Sequence, residues 1–182
     1  MNFRIHILLI FLMTVSVTVH ADDGAALDLL QGYEWQLAED RLADLGPDAY
    51  RSFLRIAEDN TQVNFIRARA VTTLTRFPNE EVWAYFESSI RGEQEFGSQQ
   101  KVQRRQIVQG ICSSFLASRP EQVGEVLVPL LEVNDVHLRT RSARCLQSVS
   151  GVRVESALTD YRSKISESWE LKAAGFSKEV LQ

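Results

Sequence analysis

Two stretches of the chain repeat each other. Arg67-Ala68-Arg69-Ala70-Val71-Thr72-Thr73-Leu74 and Arg139-Thr140-Arg141-Ser142-Ala143-Arg144-Cys145-Leu146 both read R-x-R-x-x-x-x-L. Between them, Arg104-Arg105-Gln106-Ile107-Val108-Gln109-Gly110-Ile111 fits the pattern less closely. Counted from the first arginine of each, the copies lie 37 and 35 residues apart, a period typical of stacked helical hairpins. In all three copies a small or apolar residue stands four and seven places after that arginine, and in two of them three places after it. That spacing marks one face of a helix aimed at a core.

Working outward, the turns also resemble one another. Leu45-Gly46-Pro47-Asp48, Arg76-Phe77-Pro78-Asn79-Glu80 and Ser118-Arg119-Pro120-Glu121 each stop one segment and start the next with proline and an acidic or amide residue. Proline suits the first turn of a helix, where its missing N–H has no partner to lose, and nearby carboxylates favour the positive end of the helix dipole. Ser148-Val149-Ser150-Gly151 makes a fourth junction with glycine. The spacing predicts four helix pairs. The first helices run near 25–45, 60–76, 98–117 and 134–149, and the second near 47–58, 79–91, 120–132 and 152–166. Each second helix has an apolar stripe, for example Tyr50, Phe53, Leu54 and Ala57, or Val82, Phe86 and Ile90. One stripe cannot bury itself, so neighbours must stack. With only 9 Gly and 4 Pro in 182 residues, the expected class is all-α, an α-α superhelix of about four hairpins.

This pattern resembles the HEAT-repeat family, especially its short bacterial type, in which an Arg-bearing first helix, a Pro-containing turn and a V-P-x-L-like segment recur. The matching parts are Arg67 to Leu74, Arg139 to Leu146, the turns at Pro78 and Pro120, and Val128-Pro129-Leu130-Leu131. The similarity covers about 25–166. It departs in the first copy, where Trp35 stands in place of the arginine, and copies three and four lack the usual Ala-Ala pair. The resemblance implies a curved surface for binding other macromolecules and no particular chemistry.

The first 21 residues read differently from the rest. Arg4 is followed by a nearly unbroken apolar run from Ile7 to Val19, then by Val19-His20-Ala21 and the acidic pair Asp22-Asp23. The run is short for a membrane span, which needs about 20 residues, and it has the three parts of a secretory signal. Residues 1–21 are therefore expected to be a cleaved signal peptide, with 22–182 forming a single domain that ends in a short C-terminal capping segment. Cleavage removes one arginine and no acid, so the net charge moves from −4 to −5. No membrane insertion is expected after cleavage, and the compartment is the periplasm or the outside of the cell.

Two of the three histidines, His6 and His20, lie in that leader, which leaves only His137. No G-x-S-x-G, H-E-x-x-H or Cys/His cluster accompanies it, and no glycine-rich phosphate loop occurs. No catalytic, cofactor-binding or metal residues are therefore assigned, and no cofactor is expected. Arg67, Arg69, Arg104, Arg105, Arg139 and Arg141 could form a basic ladder. The alternative is that they pair with acids or carbonyls of the neighbouring repeat while their stems cover apolar surface. An exported acidic chain makes a poor nucleic-acid binder, so the expected partner is a protein, and Arg69, Arg105 and Arg141 are candidates to meet it.

Trp83 and Tyr85 flank the Val82/Phe86 stripe, so at least one is expected to point away from the core as a partner anchor, the alternative being a cap on a seam between helices. Cys112 and Cys145 are the only cysteines. They stand eight and six places after their reference arginines, about 200° apart around a helix, the offset that two cysteines need to face each other across adjacent parallel helices. Helix axes are roughly 8–10 Å apart and a disulfide needs Cα atoms within about 7 Å, which is tight but reachable. A bond and two buried thiols both remain open. The functional expectation is a noncatalytic binding or scaffold module. The alternatives are an accessory protein that holds a small molecule or prosthetic group, as HEAT-like chromophore lyases do, and an architectural dimer.

Overall fold

A computed structural model describes residues 23–92 and 98–176. The expected leader, residues 1–21, lies outside the described residues, as do the last six residues of the chain. Among the described residues every regular element is helical: α1 (Asp23–Leu30), α2 (Glu39–Asp44), α3 (Tyr50–Glu58), α4 (Asn64–Leu74), α5 (Glu80–Arg91), α6 (Ser98–Gly110), α7 (Pro120–Leu127), α8 (Val136–Leu146), α9 (Val152–Lys164) and α10 (Ser168–Ala173). A π-turn, Ile111–Phe115, follows α6, and a 3₁₀ turn, Val128–Glu132, follows α7. No described helix is long and apolar enough to cross a membrane.

The helices form two layers. On one side α1 touches α4, α4 touches α6, α6 touches α8 and α8 touches α10; on the other α3 touches α5, α5 touches α7, and α9 packs on the 3₁₀ turn. The core lies between the layers, where helix stripes bury one face each. Phe53, Phe86, Phe115, Leu74, Ile111, Leu127 and Leu146 are all fully buried there. Phe115 meets the ring of Trp83 at 5.2 Å and that of Phe86 edge-on at 6.1 Å.

Local sequence accounts for most of the boundaries. Asn79 caps α5 by accepting the Val82 amide at 3.0 Å, and Asp135 caps α8 by accepting the amides of His137 and Leu138 at 3.0 and 3.2 Å. Pro120 is the first residue of α7. Pro129 cannot continue an α-helix because it lacks an N–H and crowds the carbonyl four residues back, so the expected helix 120–132 tightens into the 3₁₀ turn after Leu127.

The largest departure from expectation is the first segment. Residues 25–45 are two short helices, α1 and α2, rather than one. Gly32 adopts φ +104°, which an L side chain resists, and turns the chain out of the helix. The freed carbonyls are taken up elsewhere: the Trp35 indole N–H donates to the Leu29 carbonyl at 2.9 Å and the Arg69 guanidinium to that of Leu30 at 2.6 Å. Another departure is the end of the expected helix 98–117, which relaxes into the π-turn that carries Cys112.

At the α5–α6 contact, Gly110 allows a close approach. A Cβ built there would stand 2.8 Å from a ring carbon of fully buried Phe86 and 2.9 Å from the Thr75 methyl. Phe86 has no room to retreat without disturbing the core. We expect Gly110→Ala to destabilise the protein by about 1–3 kcal/mol, despite the better helix propensity of alanine, read as a lower urea midpoint with unchanged slope.

Candidate functional site

The first arginine of each copy turns inward. Arg67 donates from Nε to the Ala57 carbonyl at 3.0 Å, in the last turn of α3. Arg104 donates to the Ile90 carbonyl at 2.9 Å, in the last turn of α5. Arg139 donates to the Val133 carbonyl at 3.1 Å, just past the 3₁₀ turn. The three reference positions of the sequence repeat thus do similar work: each places a cation against a main-chain carbonyl at the end of the preceding segment, in the last helical turn for Arg67 and Arg104 and just past the turn for Arg139.

A second set of contacts ties α6 to the start of α8 and α8 to α10. Arg105 of α6 forks onto the Asp135 carboxylate at 2.8–3.2 Å, and Asp135 is also the cap of α8. Burial alone would raise the Asp135 carboxyl, but Arg105 and the two capping amides outweigh it and hold the group below its usual range. Arg139 likewise forks onto Glu170 of α10 at 2.6 and 2.8 Å. The Glu170 side chain is 4% exposed and also accepts from the Tyr161 hydroxyl at 3.0 Å. Arg139 holds the Glu170 carboxyl below its ordinary value against the opposing effect of burial. Arg105, a candidate for partner contact, is therefore engaged within the fold, whereas Arg141 is exposed.

Cys112 and Cys145 are joined as a disulfide with Cα atoms 5.8 Å apart, which links the π-turn after α6 to α8. The two aromatic candidates sit where the alternative reading, a cap on a seam between helices, puts them. Trp83 is 5% exposed, wedged against Phe115, with the Arg119 guanidinium 5.4 Å from its ring centre. Tyr85 is half-buried, and its hydroxyl accepts from the Gln103 amide at 2.9 Å. Burial pushes that hydroxyl up to about 12. Both side chains close the seam between α5 and the first layer instead of presenting an anchor, because α6 and its π-turn cover the flank that the isolated α5 stripe leaves open. His137 is exposed in the first turn of α8. Among the described residues no group of three or more His, Cys, Asp or Glu could hold a metal ion.

The exposed aromatic surface lies elsewhere. Tyr33 is fully exposed, and Val63, Phe65 and Val102 are 54%, 56% and 47% exposed. They belong to the loop after α1, the start of α4 and the start of α6, and they line two adjoining grooves of ≈ 520 and ≈ 770 Å³ that share Phe65 and Arg69. Arg69 lies between two rings, 5.3 Å from the centre of Trp35 and 4.8 Å from that of Phe65. Sequence reasoning singled out Arg69 and missed its neighbours. The one signal for them was Phe65, an apolar residue two places before the first repeat arginine and off the buried face.

A scan against protein-family models, a search of curated proteins and a search of solved structures each return no match.

Two of these contacts can be tested directly. Glu170→Gln leaves the Arg139 cation partly buried without its counter-charge and is expected to cost roughly 2–4 kcal/mol, measured by urea unfolding. Because the folded Glu170 carboxyl ionises below its ordinary value of 4.5, its contribution is complete above that pH and is lost as pH falls through the lowered folded value. The variant should therefore show a flatter acid limb of stability than the parent. For the cysteines, thiol titration of unfolded, unreduced protein should find no free thiol. Cys145→Ser should lower stability by roughly 3–4 kcal/mol on the loop-closure model, since the bond closes a loop with a sequence separation of 33.

Proposed function

We propose that this chain is an exported, noncatalytic protein-binding or scaffold module, built as a HEAT-like α-solenoid of about four hairpins. The architecture is supported by the succession α4, α6, α8 in one layer and by the recurrence of one arginine-to-carbonyl contact at the three repeat positions. Export is supported by the three-part leader pattern and by the Cys112–Cys145 bond, since disulfides persist in oxidising compartments.

The observation that carries the binding reading is where the apolar surface falls. The charged side chains of the repeats are largely engaged within the fold, while a contiguous aromatic and aliphatic face at α1, α4 and α6 is left open to solvent. Exposed apolar patches of this kind mark interaction sites. In the proposed role the stacked helices hold that face rigidly and the cell supplies the partner.

A second reading has one observation in its favour. Grooves of ≈ 520 and ≈ 770 Å³ with aromatic walls fall within the size range of small-molecule sites, as an accessory protein holding a prosthetic group would need. Native mass spectrometry of protein purified from its own source decides between the two.

The test of the leading reading is in situ crosslinking of the mature chain in its own compartment, followed by mass spectrometry. The expected result is one recurrent protein partner, and a mature chain beginning near Asp22. A bound small molecule at full occupancy, or a turnover activity abolished by His137→Ala, would overturn it.

A further inference from the structure

Six large hydrophobic side chains are exposed among the described residues, and four of them, Tyr33, Val63, Phe65 and Val102, gather around the two grooves at α1, α4 and α6. The other two, Val152 and Trp169, stand on α9 and α10. The clustering is thus confined to one end of the first layer.

Within this apolar face Arg69 is the only charged residue among the described residues that line the grooves. One N–H bond to the Leu30 carbonyl and two flanking rings hold its guanidinium in place. Unlike Arg105 and Arg139, Arg69 makes no ion pair with a carboxylate among the described residues. An immobilised guanidinium with further N–H groups, set in an apolar rim, is the complement of a carboxylate.

We propose that this face docks an apolar segment of a protein partner that carries a carboxylate for Arg69. The inference rests on the protein-binding reading above and names the surface and its ligand chemistry. Tyrosine, tryptophan and arginine are the residue types most enriched at interface hot spots, and Tyr33, Trp35 and Arg69 supply all three. A wholly exposed Tyr33 beside a 56% exposed Phe65 is covered by another protein surface far better than by a groove-sized small molecule. A single cation among apolar neighbours also lacks the row of charges that a nucleic-acid backbone requires. Aliphatic side chains would fill the grooves on either side of Phe65 while an aspartate or glutamate meets Arg69.

The experiment uses a random dodecapeptide display library panned on the purified protein, with a synthetic copy of an enriched peptide titrated by fluorescence anisotropy. Enriched peptides are expected to combine at least two large apolar side chains with an acid. Affinity should fall tenfold or more in Phe65→Ser and in Arg69→Gln, and by a similar factor when the peptide acid is changed to its amide. The last two changes should not add, because they remove the same contact. Trp169→Ser should leave binding unchanged. Circular dichroism melts check each variant, and Phe65→Ser, at an exposed position, carries the test should Arg69→Gln fail to fold. Peptides indifferent to both substitutions, or to loss of their acid, overturn the inference. So does a concentration-dependent dimer abolished by Phe65→Ser, which would make a second copy the occupant. A crosslinked partner whose contacts lie on another face sinks this inference alone; absence of both a partner and any enriched peptide sinks the protein-binding reading with it.

Discussion

Three times along this chain a helical segment ends against the first-layer helix that follows it, and a main-chain carbonyl in its last turn or just past its end needs a partner from outside the segment. An open carbonyl packed against a neighbouring helix and out of reach of water costs free energy comparable to a lost hydrogen bond. Arg67, Arg104 and Arg139 resolve this by reaching back to Ala57, Ile90 and Val133. Arginine suits this position because its long stem covers apolar surface, its charge meets the negative helix end, and its several N–H groups allow more than one contact. Beside these contacts α3 packs on α4, α5 on α6 and α7 on α8.

Once the carbonyls are satisfied, the remaining donors link the stack lengthwise. Arg105 reaches the cap of α8 through Asp135, and Arg139 reaches α10 through Glu170, so α6 is tied to α8 and α8 to α10. The disulfide adds a covalent tie between the turn after α6 and α8, and Gly110 lets α6 approach α5 closely enough for Phe86 to pack at the contact. Each of these features joins elements that pack directly against one another.

The same logic explains where apolar surface is left open. In the middle of the stack, Trp83 and Tyr85 look like exposed anchors on an isolated helix but are covered by the adjoining helix and turn. Near the beginning, α1 and α2 are short and the chain turns out at Gly32. The first-layer flank at Phe65 and Val102 is left open there. Arg69 still reaches back to a carbonyl, that of Leu30, yet its charge finds aromatic rings in place of an acid.

The all-helical class was legible in the sequence because it depends on local signals: apolar residues three and four apart, proline and asparagine at helix starts, and few breakers between them. The spacing of 37 and 35 residues also located the arginines that matter, since the same open carbonyl has to be met at one position in each repeat. Sequence alone could not say which flank of α5 would be covered, because that depends on Gln103 and Phe115, which come much later in the chain. Nor could it show that 25–45 divides at Gly32, where helix propensity yields to side chains of Trp35 and Arg69 that replace the lost backbone partners. The candidate face likewise came from tertiary structure. Tyr33, Phe65 and Val102 are scattered single hydrophobics in the sequence, and only the packing of α1, α4 and α6 brings them around one arginine.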